Sequence, residues 1–569
     1  MKATHKLLAG ACAAALLAGA APAQAERGAD GQLNIIYWQA VSILNPFLSG
    51  GTKDVEGSSL VLEPLARYDE TGTMVPWLVD EIPTLENGGV SEDLKSITWK
   101  LKDGIKWSDG TDFTAEDVAF TAAYCMDESG GCQQVAAFTD VESVEVIDPL
   151  TVKVNFSVAK PFPYGPFVGA QSPIIQKAQF ADCMGAKAPE CTDANFGPHG
   201  TGPYIVSEFK PNDVVVFEPN PHFRDAAKPA FSTVVFKGGG DAAAAARSVL
   251  ETGEFDYAWN LQVEPEILTQ MASAGKGTVV SAFGTSVERI HTNFSNPDPS
   301  LGDQRSTLEG GKHPFLTDPA VTKALSLAID REILVEAGYG AAGQVTCNVL
   351  PAPEVYNSTN NDWCKTQDID AANKLLDDAG YVMGSDGVRE KDGVRLSVLF
   401  QTSTNSVRQG TQALIKQMWS EIGVETELRN ISASVFFGGD PSSPDTFQKF
   451  YADLEMYTNN FDGTDPEAYM ASWRCSEIPS PKTNWLGANM PRYCSEEYDA
   501  LVAEMAGTAE LEKRAELAIK MNDMLMESGA IIPLIHRGGV SAHAVTLEGV
   551  KMNEWDSELW NIADWTRAE

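Results

Sequence analysis

Residues 459–469 read NNFDGTDPEAY, which sets three carboxylates, Asp462, Asp465 and Glu467, among the aromatic side chains of Phe461 and Tyr469. Four roles fit such a stretch: a metal loop, a pair of catalytic acids, a surface turn, or a carboxylate that holds a ligand. A calcium loop needs acids at alternating positions and a closing glutamate. Here Asp462 and Asp465 stand three apart with Pro466 next, so that frame is missing. A turn accounts for Asp465 and Pro466, the proline opening a helix. It leaves Asp462 without an explanation.

Other chemistry is thinly supported. His199, His222, His291, His313, His536 and His543 are scattered, and no two have helical ligand spacing. The G-x-S-x-G, H-E-x-x-H and Walker patterns are absent. A triad assembled in space leaves an extracytoplasmic hydrolase as the reading from another class. GYGAAG at 338–343 matches G-x-G-x-x-G, but it follows a helical stretch and leads to Cys347, whereas a dinucleotide fingerprint lies between strand and helix. It reads as loop glycine, and neither a cofactor nor a metal site is expected.

The ends and the composition place the chain. Lys2 and Lys6, the apolar run Leu7 to Ala21 and the Ala23-Gln24-Ala25 site before Glu26 have the order of a cleaved export signal over residues 1–25. That apolar run is shorter than the roughly 20 residues that span a bilayer, so a periplasmic protein is expected. A lipid anchor on Cys12 is the lesser reading. Of nine cysteines, Cys12 lies in the leader; Cys125, Cys132, Cys183, Cys191, Cys347, Cys364, Cys475 and Cys494 fall as sequence-local couples around turn formers. In an exported chain this favours disulfides between nearest neighbours, although other connectivities stay open. With 79 acidic against 42 basic residues, a net charge of −37, the surface repels phosphate backbones, so nucleic acid is not an expected partner. The same charge keeps the protein soluble and mildly attracts cationic solutes.

The elements that must position Asp462 alternate between strand and helix. LNIIY at 33–37 is a short strand, followed by the loop NPFLSGG. ITWKLKD, VESVEV and TVKVNF surround a helix from Thr114 to Tyr124, with Thr114 as N-cap and Asp117 three residues on. This α+β stretch reads as a unit of its own. VVVFEP, TVVFKG, the alanine-rich helix DAAAAARSVLETG and FDYAWN follow, and the composition changes around SNPDPSLGDQ at 295–304. Beyond it, RLSVLF, the helix VRQGTQALIKQMWSEIG and VETELRN predict a parallel strand–helix–strand layer. AIIPLIH and GVSAHAV near the C-terminus let the chain return to its first part.

Taken together, LARYDETGTMVPWLVDEIP, ITWKLKDGIKWSDGTDFTAEDVAFTAAY, HGTGPYIVSEFKPNDVVVFEPNPHF, HPFLTDPAVTKALSLAIDREIL, AANKLLDDAGY and ALIKQMWSEIGVETEL resemble the dipeptide and oligopeptide-binding family of extracytoplasmic solute-binding proteins of ABC importers, from about residue 33 to the C-terminus. The resemblance implies an α/β, two-lobed clamshell of the periplasmic-binding-protein type with an inserted α+β subdomain. Lobe one would comprise 26–66, 201–295 and 530–569, the inserted subdomain 67–200, and lobe two 296–529. It also implies a non-enzymatic, monomeric receptor that passes a small peptide, or a peptide-like solute with a free amine, to membrane permease subunits served by cytoplasmic ATPase subunits. Glutathione, an opine, an oligosaccharide or a chelated metal are the alternative ligands.

Asp462 stands where peptide-binding relatives carry an aspartate that pairs with the ligand's α-ammonium, four residues before a proline. Relatives often have tryptophan where this chain has Asn459. Arg408 resembles the arginine that dipeptide binders aim at the ligand carboxylate, with a solvated helix-face arginine as the plain alternative. LSGGTKD resembles a ligand-facing loop and nominates Gly51 and Thr52. Tyr37, Trp38, Trp259, Tyr457 and Phe461 are candidate pocket walls, against the commoner role of aromatics in a core. SWRCSEIPSPKTNWLGANMPRYC looks like the disulfide-closed loop of the dipeptide-binding branch, implying a Cys475–Cys494 pair. Trp107 and Asp109 in KWSDGTDFTAEDV are expected to be structural.

Overall fold

The computed structural model describes residues 27–568, so the expected export signal and Cys12 lie outside the described residues. Two large sheets dominate. The first has seven strands, ordered Gly277–Ala282, Gly539–Ala544, Tyr257–Trp259, Gln32–Tyr37, Thr233–Gly238, Val214–Pro219 and Tyr204–Lys210. Gln32–Tyr37 runs parallel to both of its neighbours and turns Leu33, Ile35 and Tyr37 inward at the period of two that a strand imposes. Helix Ala242–Leu250 packs Ala242, Ala245, Ala246 and Val249 against this sheet, the spacing of one helical face. Its N-cap, Asp241, accepts from the Ala244 amide at 2.7 Å.

The second sheet has six strands, ordered Gly343–Val345, Ile531–Arg537, Val287–Thr292, Leu454–Asn459, Ser397–Ser403 and Glu425–Ile431. Ser397–Ser403 and Glu425–Ile431 are parallel, in register from Ser397 with Glu425, and helix Ser406–Ser420 connects them. That is the strand–helix–strand layer read from the sequence. Trp419 anchors the helix, its indole N–H donating to the Leu325 carbonyl at 2.9 Å.

A third unit carries the antiparallel strands Ser96–Lys100, Thr151–Phe156 and Val141–Asp148 with helix Ala115–Cys125. Thr114 and Asp117 form the capping box that their spacing predicts. Trp107 donates to Asp117 at 3.1 Å, and Asp109 accepts from the Thr111 amide at 2.9 Å. One signature thus closes a turn, caps a helix and buries an indole.

The chain passes between the large sheets twice, through residues 283–286 and at Gly538. The two passages are neighbours: Ala282 pairs with Gly539 on one side and Val287 with His536 on the other. A single antiparallel ribbon therefore runs through both sheets and is interrupted only where they meet. Sheet membership differs here from the expected segments. Val287–Thr292 and Ile531–Arg537 belong to the second sheet, not to the stretches ending at 295 and beginning at 530 that were expected in lobe one. All four expected cysteine couples are bonded: Cys125–Cys132, Cys183–Cys191, Cys347–Cys364 and Cys475–Cys494.

Candidate functional site

Between the two sheets and the third unit lies a cavity of about 270 Å³. The loop after strand Leu454–Asn459 forms one side of it. Thr285, in one of the two crossings, fixes that loop at its start: its hydroxyl accepts from the Phe461 amide at 3.0 Å and donates to the Phe461 carbonyl at 2.8 Å. Gly463 then takes a φ of +73° and donates to the Trp555 carbonyl at 2.8 Å; a Cβ there would sit 2.2 Å from the Tyr68 ring. Only glycine meets both demands. Asp465 accepts from the Glu467 amide at 3.0 Å and from the Arg514 guanidinium at 2.6 Å, which makes the expected turn into helix Glu467–Ala471.

Held this way, Asp462 faces the cavity and reaches the opposite wall. Its carboxyl accepts from the Gln171 amide at 3.3 Å and the Gln171 side chain at 3.1 Å. Among the described residues it has no cationic partner. Burial and the neighbouring Asp556 push its pKa well above the usual carboxylate range. Lys160 bridges the same gap, ion-paired to Glu467 across it and to Asp140 at 3.2 Å on its own side. Arg474 donates to Thr139 at 3.1 Å. The lobes therefore meet around the cavity.

The other nominated residues divide. Thr52, Trp259, Tyr457, Asn459 and Phe461 line the cavity. Gly51 does not: its amide donates to Ser49, and a Cβ there would sit 2.9 Å from the Phe437 carbonyl oxygen. Trp38 is core, its indole N–H donating to the Asn260 carbonyl at 2.8 Å, and Tyr37 is buried in a stack on Trp259. Arg408 reaches the cavity edge, but its fork is taken. Nε and Nη2 donate to Glu288 at 2.7 and 3.0 Å, and Nη1 to Ser403 at 3.1 Å. Burial opposes ionisation of Glu288, and the Arg408 charge overcomes it, holding that carboxyl below its ordinary value. This bidentate pair replaces the expected contact with a ligand carboxylate.

Among the lining residues not nominated from the sequence are the charged Glu56, Glu554, Asp556, Glu558 and Arg537. Burial, reinforced for Glu56 and Glu558 by neighbouring acids, pushes Glu56, Glu554 and Glu558 up to about 8. Arg537 is buried; it donates to Asn260 at 2.6 Å and Thr458 at 3.3 Å, and its Nε has no partner among the described residues. The acids at 554, 556 and 558 alternate in sequence, but residues 554–556 form a bend and 558–560 a turn, so no strand periodicity announces them. Of the described residues, no helix is long and apolar enough to cross a membrane, and no group of three or more metal-ligating side chains is placed to hold an ion. The site is a carboxylate-lined cavity whose chemistry suits a cation held by charge-assisted hydrogen bonds.

Comparison with known proteins agrees with this architecture. The glutathione-binding protein GsiB of Shigella boydii is 22% identical over 466 residues, 82% of each chain. The oligopeptide-binding protein AppA of Bacillus subtilis, solved with a nonapeptide, superposes with a TM-score of 0.80 at 20% identity, covering 96% of this chain and all of that one. NikZ of Campylobacter jejuni, solved with Ni(L-His), gives a TM-score of 0.78 at 22% identity over 95% of this chain and 100% of its own. At such identities the superpositions establish the two-lobed fold alone. Residues 73–479 match the family described as bacterial extracellular solute-binding proteins, family 5 middle, and the chain belongs to that family.

Proposed function

We propose that this solute-binding protein captures small peptides, or peptide-like solutes with a free amine, and delivers them to the permease of an ABC importer whose ATPase subunits lie in the cytoplasm. Asp462 carries the reading: it is a carboxylate at the end of a glycine-hinged loop, facing the cavity and lacking a cation. An ammonium placed there would satisfy the charge that burial otherwise penalises. The cavity of about 270 Å³ is at the lower edge of the roughly 300–1,000 Å³ of drug-sized sites, which favours a compact ligand such as a dipeptide. In this reading the protein works as a periplasmic monomer without catalysis or cofactor.

The same carboxylate would accept the free amine of a glutathione-like peptide, the ligand named for the Shigella relative. Native mass spectrometry of protein purified without denaturation tests both, since it weighs whatever co-purifies. A peptide mass supports the proposal; a sugar overturns it. Incubation with a peptide mixture tests the hydrolase alternative, for which turnover instead of stoichiometric retention would be decisive.

A further inference from the structure

Seven carboxylates line the cavity, Glu56, Asp462, Asp465, Glu467, Glu554, Asp556 and Glu558, against three cations, Lys160, Arg408 and Arg537. Internal partners remove several of these. Lys160 pairs with Glu467, Arg514 with Asp465, and Arg408 with Glu288. Glu56, Asp462, Glu554, Asp556 and Glu558 remain opposite Arg537.

Glu56 lies within electrostatic reach of Asp462, Asp556, Glu558 and Glu554, and Arg537 within reach of Glu554 and Glu558. Hydrogen bonds inside the fold explain Asp556, Glu56 and Glu558. Asp556 accepts from the Tyr68, Ala170 and Ser557 amides, Glu56 from the Ser557 hydroxyl at 2.6 Å, and Glu558 from the Ser541 hydroxyl at 2.6 Å. Asp462 and Glu554 are different: both keep partial exposure where Glu56, Asp556 and Glu558 are buried. Among the described residues Asp462 has only the Gln171 donors, and Glu554, beside Ser286 and Arg537, forms no ion pair while its carboxyl packs against Gly539. Arg537 is 4% exposed and its Nε has no partner among the described residues, an independent sign of a missing acceptor.

We infer that the solute carries a second cationic group, held by Glu554, together with an oxygen acceptor for Arg537: a short peptide with a basic side chain. This rests on the peptide reading and narrows it. Two ammonium groups would meet Asp462 and Glu554, neither of which forms an ion pair among the described residues, and a carboxylate or carbonyl oxygen would take the free guanidinium N–H. A neutral dipeptide satisfies Asp462 and Arg537 but brings no cation to Glu554.

Calorimetry on the mature protein with Ala-Ala, Lys-Ala, Ala-Lys and the Nε-acetylated lysyl peptides tests this. The better lysyl peptide should bind about tenfold tighter than Ala-Ala or more, and acetylation should remove that gain. Glu554→Gln should collapse the ratio between lysyl and alanyl peptides. If that variant fails to fold, the acetylated peptides on the unmodified protein decide alone. In buffers of different ionisation enthalpy, the lysyl peptide should release more protons at pH 7 than Ala-Ala, because a second raised carboxyl must ionise. Equal affinity for alanyl and lysyl peptides overturns the inference and leaves the peptide reading standing. Binding of 1,5-diaminopentane without binding of any peptide overturns the peptide reading and keeps the second cation. Binding of none of these probes overturns both.

Discussion

Replacing Asp462 by Asn keeps the shape of the side chain, and its amide oxygen can still accept from Gln171, so the contact across the cleft survives in part. What disappears is the negative charge. Removing one partner of a buried, hydrogen-bonded charge pair costs about 2–5 kcal/mol, or roughly 30-fold to several thousand-fold in affinity at 1.4 kcal/mol per decade. The lower half of that range is expected. Burial and Asp556 raise the carboxyl's pKa, so part of the pairing energy is used to ionise it when a ligand enters. The sign with pH follows. Below its raised pKa, Asp462 must lose a proton to meet an ammonium, so affinity for a free-amine dipeptide should rise with pH, by up to about one decade per unit. The Asn variant should be flat over the same range. Isothermal calorimetry with a dipeptide and its N-acetyl form checks each part, since acetylation should weaken binding to the parent but hardly matter to Asp462→Asn. An unchanged Kd in a folded variant, or a parent indifferent to N-acetylation, would refute the reasoning.

Arg408→Met should cost about 3 kcal/mol of stability or more by leaving Glu288 charged and buried without its main partner. A lower chemical-denaturation midpoint with peptide affinity retained in the folded fraction would mark Arg408 as structural; lost affinity at unchanged stability would contradict that. Gly463→Ala adds a strained left-handed residue worth about 1–2 kcal/mol and a Cβ that collides with the Tyr68 ring. Small-angle scattering should then show no compaction on adding ligand, and normal compaction would count against the loop's role in closure. For the ligand-free protein, Glu56, Glu554 and Glu558 have folded-state pKa values of about 8, above their ordinary values, so the folded state binds more protons than the unfolded one. Their contribution is complete below about pH 4.5 and is lost as pH rises through about 8. Scanning calorimetry should give a higher Tm at pH 5 than at pH 8.5; a flat or reversed trend would exclude this ionisation pattern.

Local signals carried much of the architecture. The Thr114 and Asp117 spacing foretells its capped helix, and the helix beginning at Ser406 with its flanking apolar runs foretells a parallel layer. The passage between lobes was harder to read, because Val287–Thr292 spells VERIHT and looks like an exposed stretch. All six of its residues are buried, with Glu288 matched by Arg408, 120 positions away. No local pattern announces a partner that distant, which is also why Arg408 looked available to a ligand. Asp462 stood out because the turn beside it used Asp465 and left it over. Glu554, Asp556 and Glu558 lie in a bend and a turn, and only the folded chain reveals that they line the cavity.

The four disulfides join cysteines 7, 8, 17 and 19 residues apart, two in the third unit and two beside the second sheet, and none ties one lobe to the other. Short loops close at little entropic expense and find their partners before distant thiols can compete. A chain threaded outward from one end could therefore seal each cross-link soon after its own segment emerges, without waiting for the rest. Mispaired intermediates should be few, dependence on a disulfide isomerase slight, and the opening and closing of the lobes indifferent to the redox state of the surroundings.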